Sequence, residues 1–183
     1  TGGLGYEIYC DAVAQRQLWH TLWTEGQAHG MRPFGMRAMM SLRLDKFFGS
    51  WLSEFSPDYT AAETGMDRFI SFKKNAAFIG RAAAEAERAS PPERTLCAFE
   101  VAANDADVQG YEPVWIGGKV QGFCTSGGYS HHAKKSIALA LIPRSLATET
   151  LDVQIEILGE MCAAKRITTP LYDADNAIMR GIV

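Results

Sequence analysis

Pro113-Val114-Trp115-Ile116-Gly117-Gly118-Lys119-Val120-Gln121-Gly122-Phe123-Cys124 decides the fold of this chain. Two short runs rich in β-branched and aromatic residues flank a pair of glycines, the residue type that a two-residue hairpin turn needs because both turn positions take positive φ. The stretch predicts a hairpin of strands at 113–116 and 120–124. The same signature recurs outward from it. Residues 95–101, 136–142, 151–157 and 161–167 read as further short strands, with a second tight turn at Gly159-Glu160. Six short strands in under a hundred residues favour a small antiparallel barrel or sandwich.

Towards the N-terminus the pattern changes. Ser90-Pro91-Pro92 marks the change, since proline has no amide hydrogen to donate and restricts the residue before it. We place a domain boundary there, dividing the chain into 1–90 and 91–183. Residues 81–89, rich in Ala, Glu and Arg, form a strong helix just before it. Residues 4–9 alternate enough to predict a strand, and Asp11 is a natural N-cap for a helix carrying Val13, Leu18, Trp19, Leu22 and Trp23 on one apolar face. The tryptophan pair reads as core. A further helix is expected at 35–44, where Met36, Met39 and Met40 supply adaptable apolar packing. Ser56-Pro57-Asp58 looks like a turn into another helix. One strand and several helices cannot close a domain alone, so 1–90 reads as an incomplete α+β unit.

Composition removes several functions. The formal charge is −3, from 18 basic and 21 acidic residues without long runs of either sign, so no polyanion-binding footprint is present. No apolar stretch approaches the length of a membrane span. Cys10, Cys97, Cys124 and Cys162 lie far apart without CxxC spacing and read as packing residues, which implies reduced thiols and a cytoplasmic setting. A chain that opens Thr1-Gly2-Gly3 and runs straight into an apolar strand has neither an initiator Met nor a leader, which implies an upstream segment.

The common catalytic signatures are missing: GxSxG, P-loop, HExxH and paired CxxC. Gly2-Gly3-Leu4-Gly5 precedes a strand instead of joining a strand to a helix, so it is a poor phosphate loop. His131 and His132 are adjacent on an extended segment, where they point to opposite sides, and no third ligand accompanies them, so a solvated loop is expected and no metal site. Glu7 is more pointed. It alternates with Tyr6 and Ile8 just after a glycine run, and a carboxylate at a pocket wall can accept two parallel hydrogen bonds from a fused heteroaromatic ring with an amino group and an adjacent N–H.

Several segments occur in an order that resembles the aminomethyltransferase family, the glycine-cleavage T-proteins. They are Gly5-Tyr6-Glu7-Ile8, Ser41-Leu42-Arg43-Leu44-Asp45-Lys46 with Trp51, Phe78-Ile79-Gly80-Arg81, Thr125-Ser126-Gly127-Gly128-Tyr129, Lys135-Ser136-Ile137-Ala138-Leu139-Ala140 and Pro170-Leu171-Tyr172-Asp173. Within that family, Arg43-Leu44-Asp45-Lys46-Phe47-Phe48-Gly49-Ser50-Trp51 and Gly127-Gly128-Tyr129 look more like the folate-binding region of dimethylglycine and sarcosine dehydrogenases. The resemblance implies an α+β fold: 1–90 as the C-terminal part of a folate-binding domain, then a small antiparallel β-barrel at 91–183.

The resemblance also implies that Glu7 anchors the pterin of tetrahydrofolate. The T-protein's ligand-holding arginine would fall at Met39, so Arg43 is the substitute candidate, and Tyr172 is the candidate C-terminal tyrosine. The implied function is passage of a one-carbon unit from an oxidised N-methyl amine to tetrahydrofolate, giving 5,10-methylenetetrahydrofolate. The essential aspartate and an FAD domain are expected upstream of Thr1, so the isolated chain is expected to be inactive. Two other readings stay open: a T-protein or related folate-dependent demethylase, and a non-catalytic scaffold module.

Overall fold

The computed structural model describes residues 1–147 and 151–182. Its centre is a closed antiparallel barrel in the strand order β1-β4-β3-β2-β5-β6. The strands are β1 (Arg94–Val101), β2 (Pro113–Ile116), β3 (Lys119–Ser130), β4 (Lys135–Pro143), β5 (Val153–Ile157) and β6 (Glu160–Ile167). Closure comes from β6 returning to β1, with Ala98 opposite Ile167 and Val101 opposite Ala164. All six strands expected from the sequence form, and the barrel is the outcome of the barrel-or-sandwich choice. The α+β class holds, with three α-helices outside the barrel among the described residues: α1 (Gln15–Gln27), α2 (Met36–Leu44) and α3 (Arg81–Ala89).

Alternation explains the barrel. Cys97, Phe99 and Val101 of β1 point inward to join Val114, Cys124, Ala138, Ala140, Ile155 and others in the main core. Ala98, with Ile137 and Leu139 of β4, faces outward and packs with Leu44 of α2 in a second cluster. This outer cluster attaches the N-terminal part to the barrel. Gly117 and Gly118 take φ of 59° and 75°, as a two-residue hairpin turn requires. The other tight turn is Leu158-Gly159, one residue earlier than expected, with both residues at positive φ.

Strand β3 runs six residues beyond its expected end. Gly127 and Gly128 look like loop glycines in the sequence, but they lie in the ladder opposite Ala138 and Ile137. A Cβ on Gly127 would come within 2.5 Å of Val108 Cβ and 2.9 Å of the Ile137 carbonyl, so glycine here permits close packing.

The N-terminal part departs more from expectation. Residues 4–9 form no strand, because a strand exists only by pairing and none of the described residues lies beside them in a ladder. Asp11 makes no side-chain cap; a short 3-10 turn, Ala12–Ala14, leads into α1. No residue of α1 is buried. Trp19 and Trp23 stack with ring centroids 5.7 Å apart, but Trp19 remains 53% exposed, so the pair is not core. Ser56-Pro57-Asp58 does not lead directly into an α-helix: the next helical element is a 3-10 turn, Asp67–Phe69, and α3 begins only at Arg81. Thr60 and Glu63 make reciprocal backbone–side-chain bonds of 2.9 and 3.2 Å, a capping box, and Gly65 at φ 72° ends the turn it starts. Cys97, Cys124 and Cys162 are packed in the barrel, whereas Cys10 is exposed and is not a packing residue.

Candidate functional site

The three candidate residues have different surroundings. Glu7 lies in the irregular segment before α1 and is exposed. Its Oε2 accepts a 2.8 Å hydrogen bond from the Tyr9 hydroxyl, and that bond, with the carboxylate's charge, raises the Tyr9 pKa. Glu7 Oε1 accepts nothing among the described residues. Beside this segment is an open hollow of about 900 Å³, walled by Tyr6, Ile8 and Tyr9 and by Leu18, Trp19 and Leu22 of α1. Glu7 adjoins this hollow in sequence without lining it.

Arg43 occupies the last turn of α2 and is only 8% exposed. Its Nη1 donates to the Phe48 carbonyl at 2.8 Å and to Glu54 Oε2 at 3.3 Å. Burial lowers the Arg43 pKa, and the Glu54 carboxylate opposes that shift. Its Nη1 is therefore spent inside the protein, whereas Nε is buried without a partner among the described residues. Above it, a cavity of about 570 Å³ separates α2 from β3, bounded by Met40, Ser41, Arg43, Ser53, Ser126 and Tyr129.

Tyr172 follows the barrel on the C-terminal tail. Its backbone N–H reaches the Asp45 carbonyl at 3.3 Å, and its ring meets the edge of His132 at a centroid distance of 5.1 Å. The two candidates Arg43 and Tyr172 are thus tied to one short stretch, 43–46. The hollow beside Glu7 contains neither of them, and the cavity above Arg43 contains neither Glu7 nor Tyr172. His131 and His132 sit exposed in the β3–β4 turn as expected. No cluster of three metal-ligating side chains occurs among the described residues.

Two groups that sequence reasoning passed over are central here. Glu54 is 0% exposed and collects five donors: Ser50 N–H at 2.8 Å, Ser53 hydroxyl at 3.0 Å, Thr125 hydroxyl at 2.6 Å, the Ser126 hydroxyl and Arg43. Burial by itself would raise its pKa, but the hydroxyls of Ser126 and Thr125, the Ser50 amide and the Arg43 charge together hold it below the ordinary carboxylate value. Lys46 is the second, buried at 3% exposure. The usable signal for Glu54 was a lone charge inside an aromatic run, between Trp51 and Phe55; Lys46, next to Asp45 and close to Arg43, offered no such signal.

Residues 1–74 match the family model described as the GCVT N-terminal domain, and residues 94–173 match that of the glycine cleavage T-protein C-terminal barrel domain. The mitochondrial dimethylglycine dehydrogenase of Mus musculus is 37% identical over 180 residues, which is 98% of this chain and 21% of that protein. The Homo sapiens dimethylglycine dehydrogenase is 37% identical over 93% of this chain and 20% of its own length. An aminomethyltransferase of Symbiobacterium thermophilum is 33% identical over 94% of this chain and 46% of its length. The chain thus spans about a fifth of the dehydrogenases and about half of the aminomethyltransferases it matches. The crystal structure of the glycine cleavage system aminomethyltransferase T from Bartonella henselae shares the fold with a TM-score of 0.76, at 20% identity, over 87% of this chain and 44% of that one. With both halves matched in order and relatives of 33–37% identity over 94–98% of its length, the chain belongs to the aminomethyltransferase, or glycine-cleavage T-protein, family.

Proposed function

We propose that this chain is the tetrahydrofolate-binding C-terminal region of a dimethylglycine or sarcosine dehydrogenase-like enzyme. The family is one of folate-dependent one-carbon transfer. The observation that carries the narrower reading is identity of 37–38% to the dimethylglycine dehydrogenases over 93–98% of the chain, against 31–34% to the aminomethyltransferases. In this reading 1–90 is the C-terminal part of the folate-binding domain and 91–183 is the barrel domain. An upstream segment supplies the essential aspartate, the FAD domain and the surface that covers the bare apolar face of α1. A reducing setting, taken as cytoplasmic, suits three thiols used as packing groups.

The one-carbon unit arrives as an iminium or formaldehyde, and two carbon–nitrogen bonds form to tetrahydrofolate as the amine or water leaves, with no change of oxidation level. The chain's part is to orient. The Glu7 carboxylate has one oxygen without a partner and another held only by a tyrosine hydroxyl, so it can meet two adjacent donors if Tyr9 swings aside. Tyr6, Tyr9 and Trp19 offer flat faces beside it for the ring. Holding both reactants and excluding water then lowers the barrier. Because Glu7 is exposed in this chain, the reading requires the upstream segment to close over it.

Titration of the full-length protein with tetrahydrofolate tests the assignment. Glu7→Gln places an amide N–H₂ against a donor edge and is expected to weaken binding at least about tenfold, the size of one charge-assisted hydrogen bond. Equal binding by both forms would remove Glu7 from the site. No binding by either form would favour the scaffold reading. The 183-residue chain alone is expected to form no methylenetetrahydrofolate, and turnover by it would refute the placement of the catalytic aspartate upstream.

A further inference from the structure

Three separate stretches of the chain meet at Lys46. Its side chain is 1% exposed, and its ammonium donates to the Asn176 side-chain oxygen at 2.7 Å, to the Asp173 carbonyl, and to Asp173 Oδ2 at 3.5 Å. Asp173 is bound from its other side as well: its carboxylate accepts the amides of Ile178 and Met179, each at 3.0 Å. Next to Lys46, the Asp45 carbonyl accepts the amides of Leu171 and Tyr172. The C-terminal tail is thereby fastened across residues 45 and 46. Asp173 and Asn176 take positive φ of 43° and 57°, a shape that such a fastening can hold.

The aliphatic stem of Lys46 has a second task. Gly2 lies against it so closely that a Cβ on Gly2 would overlap the Lys46 side chain, and Gly2 has φ of 95°. A Cβ on Gly181 would lie 3.6 Å from Leu4 Cδ2, so the end of the tail also passes close to the segment that leads to Glu7. An ammonium buried without need is costly, and this one joins the two stretches that carry Glu7 and Tyr172.

Resting on the reading of Glu7 as the pterin anchor, we propose that Lys46 is a positioning residue of the folate site. It seats the glycine turn from which the Glu7 segment starts and clamps the tail that carries Tyr172. Lys46 touches no reacting atom. It acts by fixing the segment that leads to Glu7 against the C-terminal tail, which is how a remote side chain alters the affinity of a preorganised site.

The test compares Lys46→Met with wild type in the full-length protein. Methionine keeps an unbranched apolar stem and removes the ammonium. Asp173 retains its two backbone amides and the barrel core is untouched, so the variant is expected to fold. Amide exchange across 171–180 is expected to accelerate at least about tenfold, and the tetrahydrofolate KM to rise about tenfold while kcat stays within about twofold. An unchanged KM in Lys46→Met, with binding still lost in Glu7→Gln, overturns this role and leaves the Glu7 reading standing. A fall in kcat at constant KM also overturns it. Wild-type protein that binds no tetrahydrofolate overturns both. If Lys46→Met does not fold, Asn176→Ala, which deletes one of the acceptors, decides: faster tail exchange with a raised KM supports the role, and no change in either overturns it.

Discussion

Glu54→Ala is expected to lower the free energy of unfolding by about 3–5 kcal/mol, the usual result of removing one partner from a buried ion pair. The size follows from what is left behind. Arg43 keeps only the Phe48 carbonyl, and its charge stays buried in the angle between α2 and the barrel. Ser126 and the Ser50 amide lose their acceptor, each at a desolvation cost, while the Ser53 hydroxyl keeps its 2.7 Å bond with the Ser50 hydroxyl. Thr125 is better placed, since its hydroxyl also reaches the Leu139 carbonyl at 3.1 Å. Denaturant unfolding would show a lower midpoint with an unchanged slope, which separates lost stability from an altered unfolded state. A loss under about 1 kcal/mol would mean that the hub is dispensable.

The same carboxylate sets a pH dependence. Its folded pKa lies below the ordinary glutamate value, so its contribution is complete above that ordinary value and is lost as pH falls through the folded pKa. The stability gap between wild type and Glu54→Gln is therefore expected to be full near neutrality and to shrink at acid pH. A gap that stays constant on acidification would show that the carboxylate is not ionised in the folded chain.

How much of this could be read from the sequence depends on which interactions are local. The barrel strands were legible because alternation and glycine turns are local signals, and Gly117-Gly118 fixed one hairpin by itself. β3 was read short because Gly127 and Gly128 look the same whether they sit in a loop or beneath Val108. Residues 4–9 and the apolar face of α1 were read correctly as patterns and wrongly as a strand and a core, because a pattern says that a face needs a partner without saying that the partner is at hand. Glu54 and Lys46 were hardly legible. Their partners lie 71, 72, 127 and 130 residues away in sequence, and no spacing rule links an acid after Ser53 to hydroxyls on a distant strand. The candidate site shows the same limit: Glu7 stands out by its setting, but what closes over it is not encoded nearby.

Phe99→Ala is expected to cost about 3–5 kcal/mol, independently of anything bound to the chain. Phe99 has no exposure and lies on β1 between the two strands that close the barrel, opposite Ala138 of β4 and Arg166 of β6. Its neighbours in the core are small or β-branched, including Ala138, Ala140, Val101 and Val114, so the ring fills the space that they leave. The alanines of β4 cannot extend into the void, and the strands cannot move together without breaking the β1–β4 and β1–β6 ladders. Most of the lost contact therefore stays lost, as cavity-forming substitutions in rigid cores show. Leu158→Ala is the control: Leu158 is equally apolar but exposed in the β5–β6 turn, and its truncation should change stability by less than about 0.5 kcal/mol. Equal effects of the two substitutions in thermal or denaturant unfolding would mean that the interior of the barrel does not hold this chain together. The expected difference instead places its stability inside the six strands, and leaves the N-terminal wall and the tail, with Glu7 and Tyr172, as the parts that depend on clamps such as Lys46 and Glu54.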